Sequence, residues 1–246
     1  VELHSCDDDI PGIVASGLTS TLCAGSNGWE FPNAFPDECG ASVEYSDGWN
    51  MVGLPVLVDD AFYQTLFPEA ATGSLYSYGG SYNAETDLLP GTGYWLRLAS
   101  GGTTDFSGQP INELTLPLTE GWNLISGISS QVDVNVLYNS GIIATGAIYG
   151  YDGSYFNADM INPGMGYWVR ANQGGDITLS SSDVSAKSIE MLNYLSDANT
   201  LELSNGTHST TLYFGKDVAE EHRNSYSLPP TFSNMGFDVR FNGDMK

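Results

Sequence analysis

Pro90-Gly91-Thr92-Gly93-Tyr94-Trp95-Leu96-Arg97 is written a second time as Pro163-Gly164-Met165-Gly166-Tyr167-Trp168-Val169-Arg170. The spacing of 73 positions holds upstream as well: Gly48-Trp49-Asn50 returns as Gly121-Trp122-Asn123, and Tyr78-Gly79-Gly80-Ser81-Tyr82 returns as Tyr151-Asp152-Gly153-Ser154-Tyr155. A constant register over about fifty residues marks one structural unit duplicated in tandem. The repeated positions are turn glycines, a proline, an asparagine and large aromatics, which build and pack a fold. No pair of catalytic groups is repeated with them.

Each copy reads as strand, short helix, strands. Residues 49–58 form an apolar, strand-like run, after which Asp59-Asp60 caps a helical turn through Phe67 that Pro68 stops. Tyr76 and Tyr78 alternate into Gly79-Gly80, and Tyr149 and Tyr151 alternate into Asp152-Gly153; both dipeptides signal hairpin turns. Pro-Gly-x-Gly then makes a tight turn feeding a core strand, and residues 113–118 alternate as a further strand between the repeats. Past Asp183, Leu201-Glu202-Leu203, Asn205-Gly206 and Thr211-Leu212-Tyr213-Phe214 spell another hairpin, and Phe237-Asp238-Val239-Arg240-Phe241 alternates as a last strand. The expected class is mainly β: two tandem β-rich repeats, each with a short helix, followed by a small β-sandwich-like segment. The boundaries are residues 1–47 (a cysteine-containing segment), 48–110, 111–182 and 183–246.

Composition narrows the setting. Among 246 residues there are 30 acidic and 7 basic side chains, a net charge of −23 that repels phosphate backbones and anionic headgroups. Nucleic-acid partners and membrane insertion are therefore not expected, and no apolar run reaches the ~18 residues of a membrane span. Salt or divalent cations would relieve the self-repulsion; the acidity also serves solubility by itself. Cys6, Cys23 and Cys39 cluster near the start and suggest disulfide ties in an oxidising compartment, with one thiol left over. Val1 in place of Met points to a processed start or a partial chain.

Paired Gly-Trp-Asn and Pro-Gly-x-Gly-Tyr-Trp units of this kind resemble a repeat found in secreted proteins of Bacteroidetes and related bacteria, many exported by type IX secretion. Thr211-Leu212-Tyr213-Phe214-Gly215, Tyr226-Ser227-Leu228-Pro229-Pro230 and Phe237-Asp238-Val239-Arg240-Phe241 resemble the region preceding the sorting domain in that group. The resemblance covers residues 48–246 and implies an extracellular or cell-surface protein whose sorting domain is removed on export. It implies no particular activity.

The candidate chemistry is sparse. The sequence holds no Gly-x-Ser-x-Gly elbow, no His-Glu-x-x-His and no phosphate-cradling glycine loop, and His4, His208 and His222 are scattered. Enzymatic activity is not expected. Asp7, Asp9 and Gly12 fall at EF-hand-like positions, but Pro11 and Leu18 break the pattern, which leaves a looser calcium loop at Asp7, Asp8 and Asp9 as the one cofactor expectation. Trp49, Trp122, Trp95 and Trp168 are expected in the core, with Arg97 and Arg170 each set on a fixed carboxylate or aromatic partner. Tyr78, Tyr82, Tyr151 and Tyr155, at the hairpin tips, are the candidates for ligand or partner contact. Asn205-Gly206-Thr207 fits both an N-glycosylation acceptor and a turn. The leading expectation is a non-catalytic structural or adhesive protein that self-associates into a fibre or layer. The alternatives are a polysaccharide-binding module and an accessory region of a secreted enzyme.

Overall fold

The computed structural model describes residues 39–189, 192–232 and 235–246. The fold is mainly β, with several antiparallel sheets and a few short helices, as the sequence predicts. The first unit runs β1 (Cys39–Tyr45), β2 (Gly48–Val52), β3 (Val56–Leu57), α1 (Tyr63–Leu66), β4 (Tyr76–Tyr78), β5 (Tyr82–Ala84), β6 (Tyr94–Leu98) and β7 (Gly102–Pro110). The second runs β8 (Glu113–Leu118), β9 (Gly121–Ser126), β10 (Val132–Asp133), α2 (Val134–Asn139), β11 (Ile143–Tyr151), β12 (Tyr155–Asn157), β13 (Met160–Ile161), β14 (Gly166–Ala171) and β15 (Gly175–Ser180). Each unit has a four-stranded antiparallel sheet of the same order, β2-β6-β4-β5 and β9-β14-β11-β12. Each also pairs its first strand with its last, β1 with β7 and β8 with β15.

The duplicated unit thus begins at β1, upstream of Gly48. Residues 39–47, which the sequence groups with the cysteine segment, include the opening strand of unit one, and residues 113–118 open unit two. Ala41, Val43 and Tyr45 point inward, but three apolar positions among Gly, Ser and Glu are a weak signal, and the two opening strands share almost no sequence. The apolar run 49–58 also breaks, because β2 ends at Val52 and Gly53 N–H donates to Gly164 O of the other unit at 2.8 Å. The expected Asp59-Asp60 cap does not form, because the N-cap of α1 is Phe62 without a side-chain cap; Asp60 lies just upstream, its Oδ1 accepting from Phe62 N–H at 3.0 Å. Asp133, at the equivalent position, accepts from Asn135 N–H at 2.8 Å. Unlike neighbouring sequences make the same turn.

Each repeated motif has a structural reason. Gly48 and Gly121 adopt φ of +82° and +95°, a region open to glycine. The Asn two positions on ties that turn down: Asn50 Nδ2 donates to Ser46 O at 2.8 Å while its Oδ1 accepts from Ser46 N–H at 3.1 Å. Asn123 does the same at Thr119, at 2.8 and 3.0 Å. Such side-chain bonds replace ladder bonds the chain gives up as it turns. We expect Asn50→Ala and Asn123→Ala each to lose about 1–3 kcal/mol in urea unfolding, by orphaning these backbone groups. Asn83→Ala, at an exposed hairpin tip, changes stability by less than about 0.5 kcal/mol.

In Pro-Gly-x-Gly-Tyr-Trp the Tyr and Trp face opposite sides of their strand. Tyr94 and Tyr167 enter the separate cores of their own units, where the hydroxyls accept from Leu89 and Asn162 N–H at 2.9 and 3.0 Å. A buried phenol needs such a partner. Trp95 and Trp168, fully buried, enter a third core shared by both units. That core has two-fold pseudosymmetry: Tyr78 meets Trp168 and Tyr151 meets Trp95, each with ring centroids 4.8 Å apart and edge to face. Backbone contacts repeat reciprocally too, with Gly53 N–H on Gly164 O at 2.8 Å and Ser126 N–H on Gly91 O at 2.9 Å. This is the self-complementary interface of a symmetric dimer, here within one chain.

Beyond the units, β16 (Asn199–Ser204) and β17 (Ser209–Phe214) form the expected hairpin, turning at Gly206 with φ +94°. Then come α3 (Glu220–Arg223) and a 3-10 turn (Asn224–Tyr226). The last strand predicted over 237–241 does not form. Its alternation serves a different use: Arg240 forks onto Asp238, with Nε to Oδ1 at 2.9 Å and Nη2 to Oδ2 at 2.7 Å, and Nη1 reaches Pro229 O at 2.6 Å. A side chain and its neighbour but one, held together this tightly, fold the segment back over the shared core.

Candidate functional site

The hairpin tyrosines meet their partners within the chain. Tyr78 and Tyr82 pack on each other and on Trp168, and Tyr151 and Tyr155 pack on each other. The C-terminal segment then lies across them. Tyr82 Oη donates to Pro230 O at 2.9 Å, Tyr149 Oη donates to Ser227 O at 3.3 Å, and Tyr151 Oη accepts from Gly236 N–H at 3.2 Å. Phe232 stacks flat on Trp95, centroids 4.7 Å apart with 1° between planes, and meets Trp49 and Tyr82 edge on. Burial raises the phenol pKa values of Tyr82, Tyr151 and Tyr155 above the ordinary value. Three of the four expected contact tyrosines are therefore held by the chain's own peptide or buried beside it.

The two units differ at this point. Phe232 wedges against Trp49 and Trp95 in unit one, whereas in unit two Trp122 and Trp168 meet directly at 6.1 Å. Beside Trp122 a cleft of about 320 Å³ stays open, bounded by Tyr78, Arg170, Arg223, Asn224, Ser227 and Asp244 among others. The Arg170 guanidinium lies over the Trp122 ring, 5.5 Å from its centroid, the aromatic partner expected for it. Its Nε is buried without a hydrogen-bond partner, and burial lowers its pKa against the opposing pull of Glu120. Arg223 spends its Nε on Val218 O at 3.2 Å, and Asn224 Nδ2 donates to Asn172 Oδ1 at 2.8 Å. Arg97, the counterpart of Arg170, is exposed and makes no ion pair among the described residues.

Asn205 is exposed in its turn, where its Oδ1 accepts from Thr207 and His208 N–H at 3.0 and 2.8 Å. The backbone of Cys39 opens β1; Cys6, Cys23 and the Asp7, Asp8 and Asp9 loop lie outside the described residues. Among the described residues no three His, Cys, Asp or Glu side chains gather to hold a metal ion, and no helix is long and apolar enough to cross a membrane. Phe232, Arg223 and Arg240 escape a reading by repeats, since none has a counterpart in both units. The usable signal was charge: in a chain with 7 basic residues, Arg170, Arg223, Arg240 and Lys246 all converge on the shared core's C-terminal cover.

No family model matches the chain, and comparison with curated proteins and with solved structures finds no match.

Proposed function

We propose that the chain is a non-catalytic, extracellular or cell-surface structural or adhesive module that associates with copies of itself. The observation that carries this reading is where the duplicated residues go. The repeated Gly and Asn shape turns, Tyr94, Tyr167, Trp95 and Trp168 fill cores, and Trp49, Trp122 and the hairpin tyrosines pack partly buried against the shared one, so duplication has produced a scaffold. A second feature supports association. The ribbon β16–β17 is a sheet of two strands, with Leu201 and Phe214 about half exposed (50% and 49%). Such a ribbon offers free backbone groups along its edges, which a strand from another copy can pair with. Calcium bridging of carboxylates would lessen repulsion between chains of net charge −23.

The test is size-exclusion chromatography and electron microscopy with Ca²⁺ or a chelator. Assemblies are expected in Ca²⁺, and Leu201→Lys/Phe214→Lys should return the protein to monomers without altering its circular dichroism. A monomer indifferent to Ca²⁺ at all concentrations would overturn the reading.

A further inference from the structure

We propose that the cleft beside Trp122 binds an acidic sugar residue, a uronate whose carboxylate is held by Arg170 and Arg223. This goes beyond the association reading and does not depend on it. Four observations converge. The cleft, about 320 Å³ and open to solvent on one side, is at the small end of ligand pockets and suits a single sugar ring. Arg170 and Arg223 both line it, and neither is neutralised by an ion pair among the described residues. Arg240, close by, is neutralised by Asp238 and Asp244. Planar guanidinium groups take carboxylates in two-pronged fashion. Arg170 is also pre-positioned by its stacking on Trp122, so little rotamer freedom is left for a ligand to remove.

The remaining walls choose among anions. Trp122 and Tyr78, both partly buried, line the cleft, and the aromatic surface they leave to it would meet the apolar C–H groups of a pyranose. Asp244 lines the cleft as well; Arg240 takes its Oδ1, and the other carboxylate oxygen can accept a hydroxyl donor. Asn224 and Ser227 add further polar groups. A ligand with one anionic group, one apolar face and several hydroxyls satisfies all of these, and a hexuronic acid is that combination. The net charge of −23 disfavours long polyanions at a distance, which favours single residues or short oligosaccharides. Among the described residues the equivalent face of the first unit is occupied, because Phe232 covers Trp49 and Trp95 there.

The experiment is a titration of the whole chain with glucuronate, galacturonate and a short oligogalacturonate. It is followed by tryptophan fluorescence and by the indole N–H signals in NMR. Glucose and a glutamate-containing peptide are the comparison ligands. Saturable binding is expected for the uronates, with the Trp122 indole among the shifted signals and glucose at least tenfold weaker. Arg170→Gln and Arg223→Gln should each weaken uronate binding tenfold or more, while Arg97→Gln, at the equivalent exposed position of unit one, leaves it unchanged. Both cleft variants should unfold within the wild-type range, and Arg223→Gln serves should Arg170→Gln misfold. No uronate binding, equal binding of glucose, equal loss in Arg97→Gln, or binding of the acidic peptide alone would each overturn the proposal.

Discussion

Replacing Gly53 by alanine should cost about 3 kcal/mol or more, and replacing Ser126 by glycine in the same chain should recover most of it. Gly53 and Ser126 occupy equivalent positions in the two units, and they meet on the pseudo-two-fold axis. A Cβ added to Gly53 would lie 2.1 Å from Ser126 Cβ and 2.8 Å from its Oγ. No rotamer of so short a side chain moves a Cβ, so the two strands themselves must separate. Overpacking a tight site costs about 1–3 kcal/mol when neighbours can shift. Here the neighbour is backbone that also carries the Gly53–Gly164 hydrogen bond, and that bond would stretch with it. Ser126→Gly alone should cost only about 1 kcal/mol, the usual penalty of glycine in a strand. Its Oγ, buried with no hydrogen-bond partner, loses nothing by removal. Urea unfolding of the four proteins closes a double-mutant cycle with a coupling of about 2 kcal/mol or more. A cycle that closes additively would show that the axis contact is slack.

The same pair explains why the copies diverged. In a symmetric dimer an axial residue meets itself, so both positions must be small. Covalent tandem duplication lifts that condition and lets one side carry a side chain into the space the other leaves. The second glycine of each Pro-Gly-x-Gly has a related reason: a Cβ on Gly93 would lie 2.3 Å from Ile125 O, and one on Gly166 would lie 3.0 Å from Val52 O.

How much of this was legible in the sequence depends on whether a residue's role is local or relational. Turn glycines, the hairpin dipeptides and the inward Trp residues are local signals, and the mainly β class followed from them. The pairing of Trp95 with Tyr151 and of Trp168 with Tyr78 was not legible, because a repeat says that two units exist without saying which faces meet. The hairpin tyrosines looked exposed for the same reason. Gly79-Gly80 and Asp152-Gly153 correctly mark tips, and Gly79, Gly80 and Asp152 stay exposed, yet the flanking Tyr82 and Tyr151 are held by a segment more than seventy residues downstream of the second. Phe237-Asp238-Val239-Arg240-Phe241 misled in the opposite sense. Its period of two is that of a strand, but residues 237–240 pair with no strand among the described residues; Arg240 is held instead by Asp238, Asp244 and Pro229 O. The cleft depends on what Phe232 covers and what it leaves open, which no local pattern encodes.

Raising the pH above about 10 should unfold the chain cooperatively, because the cores hold phenols that cannot ionise in place. Tyr45, Tyr138, Tyr149 and Tyr167 are all at most 6% exposed, and burial raises the pKa of each above the ordinary phenol value. Tyr45 donates to Gly164 O at 2.7 Å, a bond that the phenolate cannot make. The sign follows from linkage. In the unfolded chain these groups lose protons near pH 10, whereas burial in the native state makes them hold their protons to higher pH. Their stabilising contribution is therefore complete below about pH 10 and falls as the pH rises beyond it. Each group that stays protonated in the native state lowers stability by about 1.4 kcal/mol per pH unit, so four such groups together remove about 6 kcal/mol per unit. A domain's whole stability is about 5–15 kcal/mol, so unfolding should fall within about one to three units above pH 10. Growing negative charge on a chain already at −23 acts in the same direction. Tyrosinate absorbance and far-ultraviolet circular dichroism, recorded together, should show these phenols ionising in one step with loss of the sheets. Tyr149→Phe, which gives up only a 3.3 Å bond to Ser227 O, should flatten the slope by about 1.4 kcal/mol per pH unit. Complete ionisation of all 14 tyrosines with the sheets intact would mean that the cores admit water and that the shared aromatic face is open to it.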